Sequence, residues 1–348
     1  MADLHVIEGR YLRDLLDQPR ALEDTLAGLG RSAELELLVR RLRGGEFLRV
    51  VLTGMGGSFH ALCPLYLQLV GQGFTAMMVE TSELIHHQAR LFDPKSLIVA
   101  VSQSGQSAET VRMLEENGGR ADVIAVTNTP GSPLAKQAAT ALITRAGSEA
   151  TVSCKTYVST LMVLKWLGDA LCGRDAEESR REFDGVASLV GEYLGNWKRH
   201  VGEVASRLSG VRHLFLVGRG TSLAAVGAGA LVIKESDHFH AEGMSSAAFR
   251  HGPFEMLSPE TFVGVFAGAE KARELNARLV ADIRAAGAAS EVIGQAAEME
   301  CFRVGQCGQG VRPILEILPV QMITIALAAI AGREAGKFDR ATKITAIE

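Results

Sequence analysis

The stretch that decides the fold is LIVAVSQSGQS, residues 97–107, in which an apolar run passes directly into a loop of small polar residues. Leu97–Val101 is short, apolar and rich in β-branched residues, which is typical of a buried strand. Ser107–Glu116 has a helical pattern, so the loop between them joins the end of a strand to the start of a helix. A chain that repeats this succession is typical of an α/β protein with a mostly parallel sheet.

The same alternation extends along the chain on both sides of this stretch. We therefore predict an α/β fold of mostly parallel sheets flanked by helices. The predicted strands are Leu48–Leu52, Ala76–Val79, Leu97–Val101, Val123–Val126, Ala141–Thr144, Leu214–Val217, Phe262–Phe266 and Val292–Ile293. The predicted helices are Tyr11–Leu29 with a break at Gln18-Pro19, Phe59–Val70, Ser107–Glu116, Pro133–Ala138 and Lys155–Leu171.

Two copies of one turn motif indicate an internal duplication. Gly54–Ser58 and Gly218–Ser222 both follow a predicted strand and share the pattern G-x-G-[GT]-S, at an offset of 164 residues. A unit of that length is large enough to be a domain, so a tandem duplication is the better interpretation than a solenoid array. We predict a helical segment at 1–30, α/β domains at 31–172 and 201–335, a connecting helix or linker at 173–200, and a C-terminal tail at 336–348.

The composition excludes several function classes. The chain has 348 residues with a formal net charge of -4 and 47% hydrophobic residues, and it has no cluster of Lys and Arg, so nucleic acid is not an expected partner. The longest apolar stretch, Pro319–Ala331, is too short for a bilayer, and the N-terminus has no secretory pattern. The five scattered cysteines lack any CxxC pair, which favours reduced thiols. We expect a cytoplasmic protein with no membrane partner.

Two polar loops are candidates for binding a phosphate. In the first, Gly56 and Gly57 permit a sharp turn before Ser58, where we expect a helix to begin. In the second, Gly105 lies among the potential donors Ser102, Gln103, Ser104 and Ser107 at a strand end. A turn needed only for folding and a plain polar loop remain the alternatives. The third glycine of a dinucleotide fingerprint is missing at Phe59, and neither loop has a carboxylate pair for Mg²⁺, so a sugar phosphate is the better candidate.

A third group of residues combines acids and imidazoles. Glu235, His238 and His240 lie close together in the chain, and His251 precedes Gly-Pro in a predicted turn. A glutamate and a histidine are suited to general acid/base chemistry. A metal site at the three histidines, or histidines with no role beyond solvation or packing, are the alternatives.

Taken together, these motifs resemble the SIS (sugar isomerase) family, and within it the isomerase part of the glucosamine-6-phosphate synthases (glutamine:fructose-6-phosphate aminotransferases). The resemblance covers nearly the whole chain. It rests on Ser102–Gly105, Asn128–Ser132, Gly147–Glu149, Lys234-Glu235, His240–Glu242, His251–Pro253 and Lys343–Glu348.

The resemblance implies two flavodoxin-like SIS domains and a homodimer with active sites at the subunit interface. By position, the residues that match the family's sugar-phosphate site are Ser58, Ser102, Gln103, Ser104 and Ser107. Glu235 matches the base that moves a proton between C1 and C2, and His251 matches a ring-opening histidine lent by the partner subunit. Lys343 matches a lysine that forms a Schiff base with the open-chain ketose, so the resemblance makes 336–348 a C-terminal active-site tail. No cofactor is implied.

Differences from the synthases at several positions limit which activity is expected of this chain. Ala2 stands where they have a nucleophilic cysteine, so we expect no glutamine hydrolysis. Val232 and Ala248 replace a lysine and a glutamate, and Gly336–Asp339 replaces the segment before the final lysine. We predict a cofactor-independent phosphosugar isomerase acting on a hexose 6-phosphate or amino-sugar 6-phosphate, with or without release of ammonia. A deglycase that cleaves a C–N bond and a non-catalytic sugar-phosphate sensor are the alternatives.

Overall fold

The computed structural model describes residues 4–340 and 342–343. Within these residues the strands are β1 (Arg49–Gly54), β2 (Ala76–Glu80), β3 (Ser96–Val101), β4 (Asp122–Thr127), β5 (Thr140–Ile143), β6 (His213–Gly218), β7 (Ala241–Ser245), β8 (Thr261–Phe266) and β9 (Ala289–Ile293). The helices are α1 (Arg10–Leu16), α2 (Gln18–Gly28), α3 (Ala33–Arg43), α4 (Gly56–Ala61), α5 (Cys63–Gly71), α6 (Thr81–His87), α7 (Ala108–Asn117), α8 (Pro133–Gln137), α9 (Lys155–Leu171), α10 (Ala176–Arg181), α11 (Val186–Gly195), α12 (Trp197–Arg207), α13 (Leu223–Asp237), α14 (Ser246–Arg250), α15 (Glu270–Ala285) and α16 (Arg312–Ala331). Short 3₁₀ helices cover Leu4–Ile7, Ala89–Leu91, Gly220–Ser222, Pro253–Met256 and Glu300–Phe302.

The chain forms two compact units. The first unit contains residues 20–148 and 155–184 and the described part of the C-terminal segment from residue 340. The second unit contains the described residues up to 19, residues 149–154 and residues 185–339. Each unit is built around one parallel sheet, which confirms the predicted α/β class.

The sheet of the first unit has the strand order β2-β1-β3-β4-β5, with every pair parallel. This is the flavodoxin-like order, in which the direction of strand addition reverses between β1 and β3. Side chains alternate along the strands, and Val51, Ile98 and Ala100 join a buried cluster with Leu84 of α6 and Met113 of α7. Helices α3, α4 and α5 contact α9. The crevice at the carboxyl ends of β1 and β3 is therefore the expected ligand position.

The sheet of the second unit has the order β7-β6-β8-β9 and is also parallel. This order corresponds to that of the first four strands of the other sheet, while the duplication itself stays a prediction. Helices α12 and α13 both pack against α16, and α15 contributes Leu279 and Ile283 to a buried cluster with Phe215 and Val263. By length and composition α16 could cross a membrane, but 89% of its most apolar window is buried, so it packs as a core helix of this unit.

Local departures from the predicted elements have physical causes. The predicted helix Phe59–Val70 is two helices, because Pro64 begins a new helix in the first turn of α5. The expectation that a helix begins at Ser58 was wrong by two residues, since α4 begins at Gly56. The polar segment Gly173–Glu182 contains α10, which Asp175 caps by accepting hydrogen bonds from the amides of Glu177 and Glu178. The end of the predicted tail, residues 344–348, lies outside the described residues.

Candidate functional site

The turn after β1 brings Ser58 to the carboxyl edge of the first sheet. Gly54 ends the strand, and a Cβ there would lie 3.0 Å from the carbonyl oxygen of Val101 on β3, so a side chain at this position would crowd the neighbouring backbone. Gly56 has a φ of +52° at the start of α4, a conformation that favours glycine. Gly57 has an ordinary φ, and its Cβ would meet only Tyr157 at 4.0 Å, so the backbone does not require a glycine there.

The loop after β3 is held in a tight conformation by its own hydroxyl groups. Ser102 Oγ accepts a hydrogen bond from the amide of Gly105 at 3.1 Å, and Ser104 Oγ accepts one from the amide of Gln106 at 3.4 Å. Gly105 has a φ of +64°, and a Cβ there would lie 2.2 Å from Ser132 Oγ. The sequence therefore places glycine where both the dihedral angle and the neighbouring side chain exclude any other residue.

The neighbouring strand β4 fixes this loop from the other side. The carbonyl oxygen of Gln103 accepts hydrogen bonds from the amide of Asn128 at 3.0 Å and from Thr127 Oγ1 at 3.2 Å. The amide of Ser102 donates to the carbonyl of Val126 at 3.1 Å. Because the backbone of the loop is held in this way, the side chain of Gln103 is not needed to support it from the cavity side.

Ser107 and Thr110 extend the polar surface onto the first turn of α7. Ser107 is the N-cap residue of this ten-residue helix, but its side chain makes no capping hydrogen bond. Its Oγ lies 2.8 Å from Thr110 Oγ1 instead, and either hydroxyl can donate. The second hydrogen-bonding position of each hydroxyl is thereby available to a ligand.

These residues surround one cavity of about 130 Å³ in the first unit. Its walls are Met55, Ser58, Val101, Ser102, Gln103, Ser104, Ser107, Thr110 and Lys343. The cavity thus lies where β1 and β3 end, at the point where the strand order reverses. Five hydroxyl groups, one amide side chain and one lysine ammonium give it neutral donors and a positive charge, which suits an anion such as a phosphate.

The structure brings the predicted phosphate residues Ser58, Ser102, Gln103, Ser104 and Ser107 together with Lys343 in this cavity. Sequence reasoning missed Thr110 and Met55. Thr110 follows Ser107 by three residues, and that spacing places two side chains on one face of a helix. It could have been found from the predicted helix, whereas the position of Met55 depends on the turn geometry.

Glu235 and His251 belong to the second unit. Glu235 lies in the last turn of α13 and is half-buried. His251 is exposed and follows α14 directly, as the predicted turn requires, and Gly252 after it has a φ of +132°. His240 is exposed, with its Nε2 3.7 Å from Glu242 Oε1. Among the residues that the structure describes, no three His, Cys, Asp or Glu side chains are grouped for a metal ion.

The second copy of the glycine motif has a different environment. Ser222, the counterpart of Ser58 at the 164-residue offset, is fully buried and donates from Oγ to Glu316 Oε1 at 2.9 Å. Glu316 is also buried, and burial raises its pKa to about 7 despite the opposing effects of Ser222 and Arg312. The Ser222 hydroxyl of the second unit is therefore hydrogen-bonded to a carboxyl group of the protein, whereas the corresponding Ser58 of the first unit lines a cavity.

Comparisons with known proteins agree with this geometry. Residues 48–168, which contain the cavity residues from Met55 to Thr110, match the SIS domain family. A glutamine–fructose-6-phosphate aminotransferase (isomerizing) from Pyrococcus horikoshii is 29% identical and matches 100% of this chain and 59% of its own length. The corresponding protein from Pyrobaculum aerophilum is 30% identical, with 97% of this chain and 57% of its length matched. The chain thus spans about three fifths of the length of these relatives.

Solved structures share the fold over nearly the whole chain. The C-terminal domain of a glucosamine-fructose-6-phosphate aminotransferase from Francisella tularensis has a TM-score of 0.83 at 18% identity, covering 97% of this chain and 100% of that one. A putative phosphosugar isomerase from Silicibacter pomeroyi has a TM-score of 0.79 at 26% identity, covering 93% and 99%. Residues 48–168 therefore match the SIS domain family, and along its whole length the chain is similar to part of the glutamine–fructose-6-phosphate aminotransferases.

Proposed function

We propose that this chain is a phosphosugar isomerase that acts on a hexose 6-phosphate or an amino-sugar 6-phosphate. The observation that carries the proposal is the cavity at the ends of β1 and β3, where serine and threonine hydroxyls meet the ammonium of Lys343. The names of the aminotransferase relatives and of the Silicibacter pomeroyi structure support a sugar phosphate as the ligand.

In this proposal the phosphate group occupies the cavity and fixes the sugar. Ser58, Ser104, Ser107 and Thr110 supply neutral donors, and hydrogen bonds to a charged oxygen contribute about 1.5–3 kcal/mol each. Gln103 presents its side chain at the same wall while its carbonyl is held by β4. A rigid phosphate anchor holds the reacting carbons in one place, which is the main requirement of a proton transfer between neighbouring carbons.

The chemical step is a proton transfer through an enediol. His251 assists opening of the ring, as the resemblance implies from the partner subunit of a homodimer. The Glu235 carboxylate takes a proton from C1 of the open-chain ketose while the C2 oxygen gains one, and it returns the proton to C2 as the C1 hydroxyl loses its own. With an amine on C2 of an aldose, Glu235 moves the proton in the opposite direction, from C2 to C1, while the C1 oxygen gains a proton and the amine loses one. The product is an imine at C2, which water hydrolyses to a ketose and ammonia.

Lys343 has two roles that fit its place in the cavity. Its amine can condense with the ketose carbonyl, releasing water and giving an imine. Its charge can also neutralise part of a bound phosphate, because it lies at the same wall as Ser58 and Ser104. Reduction with borohydride separates these roles, since only an imine leaves a stable adduct on Lys343.

The decisive experiment measures proton exchange and product together. Hexose 6-phosphates and amino-sugar 6-phosphates are incubated with the chain in D₂O, and deuterium at C1 or C2, ketose and ammonia are measured. Glu235→Gln is expected to abolish both exchange and turnover, while the exposed-surface control Glu274→Gln keeps both. Full activity of Glu235→Gln would refute the mechanism. Thermal stabilisation by hexose 6-phosphates without exchange or turnover on any of them would identify a sensor instead.

A further inference from the structure

The segment that follows α16 is docked on the carboxyl end of α13 in the second unit. Helix α13 ends at Asp237, and His238 caps it in a left-handed conformation with a φ of +52°. Arg333 Nη1 donates to the carbonyl oxygen of Asp237 at 3.1 Å. A guanidinium at this position satisfies a carbonyl that has no partner within the helix and also interacts favourably with the helix dipole.

The second guanidinium nitrogen of Arg333 connects the helix end to a residue further along the segment. Arg333 Nη2 lies 3.2 Å from Asp339 Oδ2 and 3.3 Å from His238 Nε2. His238 Nε2 is itself 3.9 Å from the same carboxylate oxygen. Arg333, His238 and Asp339 therefore all contact one another. We call these three residues the clamp; it joins the end of α13 to Asp339, the last residue of the second unit.

The residues between Arg333 and Asp339 are held by the backbone as well. The amide of Gly336 donates to Ser236 Oγ at 3.0 Å, and Ala335 is buried. Gly336 has a φ of +72°, and a Cβ there would lie 2.7 Å from Tyr11 Cβ. The segment thus follows one path against α13 and α1, with no room for a side chain at its closest point.

The carboxyl group of Asp237 does not compete with Asp339 for the charge of Arg333. Asp237 is buried, and burial raises its pKa well above the usual value for an aspartate, although Arg333 opposes that shift. Its Oδ1 accepts from Ser236 Oγ at 3.4 Å, and its Oδ2 has no partner among the described residues. Burial therefore favours the neutral form of the Asp237 carboxyl, while the Asp339 carboxyl faces the guanidinium of Arg333 directly.

The place of the clamp in the chain gives it a consequence for the reaction. Ser236, Asp237 and His238 directly follow Glu235, and only three residues separate Asp339 from Lys343. We propose that Arg333 and Asp339 are positioning residues, which fix the path of the C-terminal segment against the helix that carries Glu235 and so hold the chain in one place four positions before Lys343. The part of this inference that concerns Lys343 rests on the proposed function. The docking of the C-terminal segment on α13 does not depend on it.

The first measurement needs no substrate. Lys337, Arg340 and Lys343 are tryptic sites in the segment, and none of them is changed by Asp339→Asn. Because an exposed ion pair contributes up to about 1 kcal/mol, we expect Asp339→Asn to speed cleavage at these sites about five-fold. The matched control is Glu260→Gln, which removes a pair of similar length, Arg212 Nε to Glu260 Oε1 at 3.3 Å, elsewhere on the unit. In an Arg333→Gln background, Asp339→Asn should add less than about two-fold.

The second measurement follows Lys343 directly. The chain is incubated with fructose 6-phosphate and borohydride, and the adduct on Lys343 is followed by mass spectrometry. Asp339→Asn is expected to slow adduct formation about five-fold while the concentration of inorganic phosphate that protects the site stays unchanged. Equal cleavage rates in Asp339→Asn and the unaltered chain would overturn the proposal, and so would faster cleavage with unaltered turnover and adduct formation. Absence of turnover and adduct in the unaltered chain would refute the proposed function, and the cleavage rates would still decide whether the clamp exists.

Discussion

The buried carboxyl of Glu316 gives a quantitative test of the second unit. Glu316 lies in α16 with 1% of its surface exposed, and its Oε1 accepts a hydrogen bond from Ser222. Its Oε2 has no partner among the described residues. Burial raises the pKa from 4.5 to about 7, so near neutral pH the folded unit retains a proton that the unfolded chain has released. The perturbation is Glu316→Gln, which keeps the shape and removes the charge.

The sign and size of the effect follow from the two pKa values. Because the folded pKa is the higher one, the stabilising contribution is fully present below about pH 4.5 and is lost as the pH rises through about 7. At about 1.4 kcal/mol for each pH unit between the two values, the raised pKa of Glu316 lowers the free energy of unfolding by about 3 kcal/mol at pH 8.5 and by about 1 kcal/mol at pH 5. Glu316→Gln should therefore raise the free energy of unfolding by about these amounts at the two pH values.

Urea unfolding from pH 5 to pH 8.5 measures this free energy. Trp197 lies in the second unit and Trp166 in the first, so fluorescence in a Trp166→Phe background reports the unit that contains Glu316. Ser222→Ala removes the hydrogen bond that lowers the pKa, and it should shift the loss of stability to higher pH. A gain from Glu316→Gln that is equal at pH 5 and pH 8.5, or a loss at pH 8.5, would refute the reasoning.

Three further changes test the cavity of the first unit. Gly105→Ala should lower the free energy of unfolding by at least about 2 kcal/mol and weaken phosphate binding, whereas Gly119→Ala, with a φ of +76° and nothing within 4 Å, should cost only about 1 kcal/mol and leave binding intact. Equal binding in the two variants would contradict a role for the loop. Thr110→Val removes the partner of the Ser107 hydroxyl and should weaken binding of fructose 6-phosphate about five-fold in calorimetry, and unchanged affinity would remove Thr110 from the site. Lys343→Met should abolish the borohydride adduct, and an adduct that persists would lie on another residue.

Most strands could be read from the sequence because their side chains are apolar on both faces. Leu97–Val101, for example, forms β3 between β1 and β4 and is buried throughout. β7 (Ala241–Ser245) escaped prediction because Glu242, Gly243 and Ser245 give it no apolar pattern. It is an edge strand, and a Cβ at Gly243 would lie 2.4 Å from the carbonyl oxygen of Val226 in α13. Close packing of helix on strand replaces the missing side chains there.

The loop residues of the cavity were recognisable because their spacing is local. Ser102, Ser104 and Ser107 follow one strand and precede one helix, so their common edge follows from the parallel sheet. The surroundings of the two glycine motifs, by contrast, could not be predicted from the residues next to them in the sequence. Ser58 and Ser222 have the same local pattern, yet one faces a cavity and the other is hydrogen-bonded to Glu316, which is 94 residues further along the chain.

By itself the sequence determined the α/β class, the strand that begins the stretch LIVAVSQSGQS and the set of small donors at the end of that strand, because these depend on periodicity and turn chemistry within a few residues. The tertiary structure decided which of those donors share a space. The cavity needs Ser58 from the end of β1, Ser102–Ser107 from the end of β3 and Lys343 from the end of the chain. Such contacts form only when the sheet fixes the strand order, since no local pattern specifies partners so far apart in sequence.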